Sequence, residues 1–290
     1  MMTRPKFLSQ FHIHPLLWLV LFLGVITGSF VEIAIIFCLI FIHEMGHVGM
    51  ALFFRWRITN VMFWPFGGVM DTEEYFTRSY KEEFLVVLAG PIQHIWIHVL
   101  LTQLMAVELF PVYLLEYAIV YNLQLLFFNL LPIYPLDGGR ILLLLLSYKL
   151  PFKKVLGYTI YLSVLCILIG LSIATVNHWL TFHTLLLAGF LFIENRLEWK
   201  RKHYVFIRHL MARYHQPQSH SNRNLLVPAS SSETVNEVLQ KFYKGRHHQI
   251  NVQFDTDSSA TVEEDQCLRA FFERKSPHIQ MKELAKIGYT

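Results

Sequence analysis

Lysine and arginine are missing from three long stretches of the chain, residues 7–54, 82–139 and 155–195, and apolar side chains dominate each of them. An apolar run of about 18 or more residues without charge is a candidate membrane span. Six spans are predicted, at 13–29, 31–54, 84–105, 112–131, 155–175 and 178–195. The second is long enough to cross a hydrocarbon core about 30 Å thick at about 1.5 Å per residue. A further apolar piece, RILLLLLSYKLP (140–151), is too short to span and reads as a partial or re-entrant helix. After the second span, the alternation in FWPFGGVM (63–70) predicts a β-hairpin or membrane-dipping loop with Gly67 and Gly68 at its turn.

The basic residues set the orientation. Arg55, Arg57, Arg78 and Lys81, then Arg140, Lys149, Lys153 and Lys154, then the tail from Arg196, all fall on one side if the N-terminus is cytosolic. The opposite loops, near Gly28, 108–111 and Asn177, hold no Lys or Arg. Both termini are therefore expected in the cytosol. Composition agrees: 54% of the 290 residues are hydrophobic and 16% are charged, against about 25% charged in a soluble domain. No small-residue cleavage site ends the first span, so it is not read as a signal peptide. Three scattered cysteines, Cys38, Cys166 and Cys267, imply no disulfide framework. The fold class expected is a polytopic α-helical membrane protein (1–195), a basic membrane-proximal linker (196–224) lying on anionic headgroups, and a small α+β cytosolic domain (225–290).

Three ionisable side chains lie inside the second span, in CLIFIHEMGHVGM (38–50). His43 and His47 are four apart and share a helix face, with Glu44 about 100° round. H-E-x-x-H on a helix is the arrangement in which two imidazoles hold zinc and the glutamate acts as general base. The bland alternative is a pair of core histidines, but ionisable residues within a span mark function by default. Catalytic zinc takes a third protein ligand and keeps a position for water. Asp137, in FNLLPIYPLDGGR (128–140), is the strongest candidate. Apart from Glu194 it is the one carboxylate between Glu116 and the tail, and it lies at matching depth. Pro132 and Pro135 break the helix before it, while Gly138 and Gly139 permit tight backbone.

HEMGH together with NLLPIYPLDGG resembles the site-2 family of intramembrane zinc metalloproteases, over roughly residues 31–145. The resemblance implies one zinc per chain on His43, His47 and Asp137, with Glu44 as catalytic base. It implies substrate positioning by Asn129, Pro135, Phe66, Gly67 and Gly68, the hairpin presenting substrate in extended form, and a structural role for Pro132. The substrate implied is a membrane-tethered protein. In the bacterial branch with a similar tail it is the precursor of the sporulation sigma factor sigma-K, cleaved in the membrane around the forespore. Small membrane proteins are the implied regulators; no direct nucleic-acid contact is expected. LAGPIQH (88–94) is similar to a Gly-Pro element of the family's third span, with His94 where relatives commonly have Asn. His94 and His98 are also four apart; packing, a supporting or gating role, and metal binding all remain open for them.

In the tail, the order from Leu225 is strand, helix, strand, strand, helix, with Thr234 and Glu237 spaced as a capping box. This resembles a single CBS module, which implies pairing into homo-oligomers and ATP binding, with Glu264 and Asp265 as candidate nucleotide-binding residues. The rival reading of the whole chain is a metal transporter with a nucleotide-sensing tail, its path lined by His43, His47, His94 and His98. Transporters tend to carry internal repeats, and none is visible.

Overall fold

The computed structural model describes residues 11–13, 15–64, 67–72, 74–108, 110–215, 221–254 and 258–287. They fall into two compact units, one within Met1–Pro132 and Leu136–Ile141, the other within Ile133–Pro135 and Leu142–Thr290.

The first unit opens with β1 (Phe11–Ile13) and α1 (Pro15–Thr27). The expected first span is thereby shortened, because Ile13 is extended and Gly28, at φ 76°, ends the helix. Thirteen residues rise only about 20 Å. α2 (Phe30–Phe53) follows at once, and its buried residues, Leu39, Ile40, His43, Glu44, His47, Val48 and Ala51, form one stripe along its second half. β2 (Ile58–Trp64) and β3 (Gly67–Thr72) make the predicted hairpin, with β1 added parallel to β2. Its register corrects one expectation: Gly67 and Gly68 are the first residues of β3, opposite Trp64 and Phe63, rather than the turn itself. Among the described residues the order is β1-β2-β3, with β3 at an edge.

α3 (Tyr80–Ala106) is capped by Ser79, whose side chain accepts from the Glu82 N–H, and it accommodates Pro91 internally. α4 (Val112–Asn129) and the first turn of α5 (Asp137–Lys149) complete the unit. The apolar piece beginning at Arg140 is thus a helix that starts at Asp137 itself.

The second unit holds the rest of α5, α6 (Phe152–Val176) and α7 (Phe182–His215). α7 has 34 residues, so the basic stretch read as a separate linker is helical through His215. Its charges hide a stripe: Val205, Phe206, His209, Leu210 and Arg213 recur on one face and are buried.

The tail domain follows as β4 (Ser221–Ser230), α8 (Val235–Leu239), β5 (Arg246–Gln253), β6 (Ser259–Glu263), α9 (Glu264–Phe272) and α10 (Met281–Ile287). This is the expected order with one helix added. β4 pairs parallel with β5, with α8 between them in the chain; β5 pairs antiparallel with β6. Buried Val227, Ile250 and Val262 lie in register across the sheet. The Thr234–Glu237 capping box forms as read.

Among the described residues three helices, α2, α3 and α6, are long and apolar enough to cross a membrane.

Candidate metal centre and its surroundings

One turn of α2 separates His43 from His47, and their Nε2 atoms converge to 3.1 Å. Asp137 Oδ2 lies 3.2 Å from each. The three residues are buried and form the one metal-competent group found among the described residues. A tetrahedral zinc with ligand bonds of 2.0–2.1 Å would place its ligand atoms about 3.3 Å apart. The triangle observed matches that spacing.

The hydrogen-bond chemistry agrees. His47 Nδ1 lies 2.8 Å from the Val86 carbonyl oxygen, which can only accept, so Nδ1 carries the hydrogen and Nε2 is a bare lone pair. That lone pair faces a carboxylate oxygen that has no hydrogen-bond partner among the described residues. A cation among the three atoms satisfies them all.

Close packing holds the histidines in place. A Cβ on Gly90 of α3 would lie 2.2 Å from His47 Nε2 and 2.8 Å from His43 Cε1, so only glycine lets α3 approach this closely. The aspartate is placed in a similar way. A Cβ on Gly138 would meet the carbonyl oxygens of Leu130 and Leu131 at 2.2 and 2.3 Å, so the first turn of α5 rests on the end of α4.

Glu44 lies outside the triangle. It is buried, and its Oε1 accepts the backbone N–H of Gly68 at 3.0 Å. Beyond the hairpin, Tyr75 is wedged between Trp56, at a ring-centroid distance of 5.3 Å, and the Arg140 guanidinium, 4.5 Å above the Tyr75 ring.

His43 Nδ1 meets His94 Nε2 at 3.1 Å, and His94 Nδ1 meets Asn122 Oδ1 at 2.8 Å. His94 therefore pairs with His43 rather than with His98, which is half-buried and outside the metal-competent group. Sequence reasoning left this open and did not single out Asn122. The available signal was a polar amide in the interior of an apolar span.

Of the other expected site residues, Asn129 is half-buried at the last position of α4. Gly67 pairs with Trp64, and Gly68 faces Glu44. Phe66 lies outside the described residues. In the second unit, Pro135 is half-buried behind a cis bond. Beside it, Tyr134 donates its N–H to Ser163 Oγ at 2.8 Å, and its carbonyl accepts from Asn195 Nδ2 at 2.5 Å.

Glu264, a nucleotide-binding candidate by resemblance, has both carboxylate oxygens engaged within its own unit. It is buried, with Oε1 taking Arg213 Nε at 2.6 Å and Oε2 taking Arg213 Nη2, the His248 backbone N–H and His248 Nδ1 at 2.8–2.9 Å. Burial alone would raise its pKa, but the His248 hydrogen bond and the Arg213 charge hold it well below the usual carboxylate range. Asp265 beside it is half-buried. Burial pushes the Cys267 thiol up to about 12, as befits a packing residue.

The chain is similar to known proteins. The model of Peptidase family M50 matches residues 31–110 and 102–170. Stage IV sporulation protein FB of Bacillus subtilis is 35% identical over 95% of this chain and 96% of its own length. Zinc metalloprotease MJ0392 of Methanocaldococcus jannaschii is 32% identical over 50% of this chain and 44% of its own. Among solved structures, the Site-2 Protease from Methanocaldococcus jannaschii shares the fold, with a TM-score of 0.52 at 24% identity over 68% of this chain and 94% of that one. Similarity to the sporulation protein along nearly the whole chain decides the matter: this integral membrane protein belongs to peptidase family M50, the site-2 proteases.

Proposed function

We propose that the chain is an intramembrane zinc endopeptidase that cuts a membrane-tethered protein in or near its membrane segment and releases it to the cytosol. The carrying observation is the triangle of His43, His47 and Asp137 beside a buried glutamate that is not part of it. Zinc bound there would supply Lewis-acid polarisation of the scissile carbonyl and would lower the pKa of a water to about 7. His43, His47 and Asp137 hold that charge in place, and Glu44 takes the proton from the attacking water and passes it to the leaving amine. Asn129 is read as a hydrogen-bond partner of the substrate backbone.

A helical substrate has its peptide groups satisfied internally and must unwind before attack. β3 offers a place for the unwound segment, because an edge strand accepts an extended chain by main-chain hydrogen bonds. The Gly68 N–H, directed at Glu44, marks where such a chain would run past the base.

We extend the reading to six spans, the first made by α1 together with the residues just before it and the others by α2 to α4, α6 and α7, with both termini cytosolic and the membrane around the forespore as location. The substrate proposed is the precursor of sigma-K, and small membrane proteins are the regulators. The tail is read as a CBS-like docking module that self-associates; with the oxygens of Glu264 engaged, ATP has no support there. A transporter is not favoured by any relative.

The test is Glu44→Gln in full-length protein co-expressed with the membrane-tethered sigma-K precursor. Cleavage is expected to vanish while one zinc per chain remains. Proteolysis retained in that variant would remove Glu44 from the mechanism, and wild-type protein without stoichiometric zinc would remove the metal.

A further inference from the structure

An imidazole can hold a metal ion only through a bare lone pair, and the group bonded to its other nitrogen decides which nitrogen is bare. For His47 the Val86 carbonyl makes that decision. His43 has a different partner. Its Nδ1 meets another imidazole, His94 Nε2, at 3.1 Å, and an imidazole nitrogen can donate or accept. This contact by itself leaves the hydrogen on His43 undetermined.

The decision is made one residue further out. Asn122 Nδ2 lies 2.9 Å from the backbone carbonyl oxygen of His94, to which it can only donate. That bond fixes the amide's orientation and turns Oδ1, which can only accept, toward His94 Nδ1 at 2.8 Å. His94 Nδ1 must therefore carry the hydrogen, which leaves Nε2 bare in the neutral ring. The bare Nε2 accepts from His43 Nδ1–H, and His43 Nε2 is left with its lone pair facing Asp137 Oδ2 and His47 Nε2. His94 and Asn122 are both 0% exposed, so no water competes along the chain.

We propose that His94 and Asn122 are positioning residues that fix the tautomer of His43 and aim its Nε2 lone pair at the metal. The proposal rests on the metal-centre reading above. It gives the two histidine ligands unlike support: a rigid carbonyl for His47 and a relay of two side chains for His43. Partners of this kind typically change metal affinity by about 10–100-fold when removed.

The experiment strips purified full-length protein of metal in detergent and titrates zinc back against a competing chelator. His94→Leu and Asn122→Leu are expected to weaken zinc binding by about 10–100-fold. His94→Gln, which keeps an acceptor for His43, is expected to recover most of it. A purely packing role would give no such rescue, since Leu fills the apolar volume at least as well.

Leucine variants that bind as tightly as wild type overturn the relay, as does a His94→Gln variant as weak as His94→Leu. Wild-type protein that takes up no stoichiometric zinc overturns the metal reading itself. Should the leucine variants fail to fold, nitrogen-15 shifts of the histidine rings in wild-type protein give the answer without substitution. Hydrogen on His94 Nδ1 and His43 Nδ1 supports the relay, and hydrogen on His94 Nε2 refutes it.

Discussion

Gly68 touches Glu44 twice over: its N–H reaches Glu44 Oε1 at 3.0 Å, and a Cβ built on it would lie 2.3 Å from Glu44 Cγ and 2.4 Å from Cδ. The hairpin thus presses bare backbone against the proposed base, and any side chain at this position must push one of them away. Gly68→Val is expected to lower cleavage by about 10²-fold, the usual cost of a displacement near 1 Å in a reacting site. Bound zinc should be unchanged, because the triangle lies elsewhere. Normal turnover by this variant would mean that the contact is dispensable.

A different glycine packs against the proposed metal ligands. With Gly90→Ala, the new methyl would meet His47 Nε2 at 2.2 Å, so α3 or the imidazole must shift. Overpacking of this kind costs about 1–3 kcal/mol, which converts to roughly 5- to 150-fold in affinity. Zinc measured by atomic emission should fall together with activity, in contrast to Gly68→Val.

Asp137→Asn and Glu44→Gln should separate cleanly. The amide removes the charge that offsets the cation among three buried ligand atoms. Zinc should then be lost on mild chelation and cleavage with it. Equal zinc retention in Asp137→Asn and Glu44→Gln would argue that the third ligand is another residue.

In the tail, Arg213 and Glu264 form an ion pair with both side chains buried. Removing one partner of such a pair typically costs about 3–5 kcal/mol, whereas replacing both with apolar residues is often neutral. Arg213→Leu should therefore expose the tail to limited proteolysis of the full-length chain, and Arg213→Leu with Glu264→Leu should restore protection. Equal sensitivity of the single and double variants would contradict this account.

Acid should loosen the same domain from pH 6.5 downward. His248 Nε2 accepts the Tyr243 N–H at 2.9 Å, so its ring is neutral with the hydrogen on Nδ1. Burial holds its pKa below the ordinary value. The unfolded chain, with a histidine pKa of about 6.5, binds the proton more readily, so stability is intact above that pH and declines below it. The slope is at most about 1.4 kcal/mol per pH unit for one group. Glu264, whose pKa is depressed, adds a second loss only below about pH 4.3. Thermal unfolding of the tail between pH 7.5 and 5.5 checks the first window, and a flat profile would refute it.

Much of this was legible in the residues, and the exceptions have physical causes. The spacing of His43 and His47 and the isolation of Asp137 in an apolar chain point to the triangle before any coordinates. Glu264 is a nucleotide candidate by resemblance alone, from its place three residues after Thr261, and that spacing gives no sign that Arg213, 51 positions earlier, engages its carboxylate. His94 stayed ambiguous because helix-to-helix approach, not its own neighbours in sequence, brings it to His43. Residues 196–215 read as a linker because charge density outweighed the buried stripe of α7.

That continuity of α7 carries weight beyond its own packing. A helix of 34 residues rises about 51 Å, some 20 Å more than a hydrocarbon core about 30 Å thick. Arg213, near its far end, is bolted into the sheet domain through Glu264. On the proposed reading, in which α7 crosses the bilayer, a partner that grips the tail pulls on a stiff lever rather than a loose tether, and its tug arrives at the bilayer as a tilt or twist of that rod.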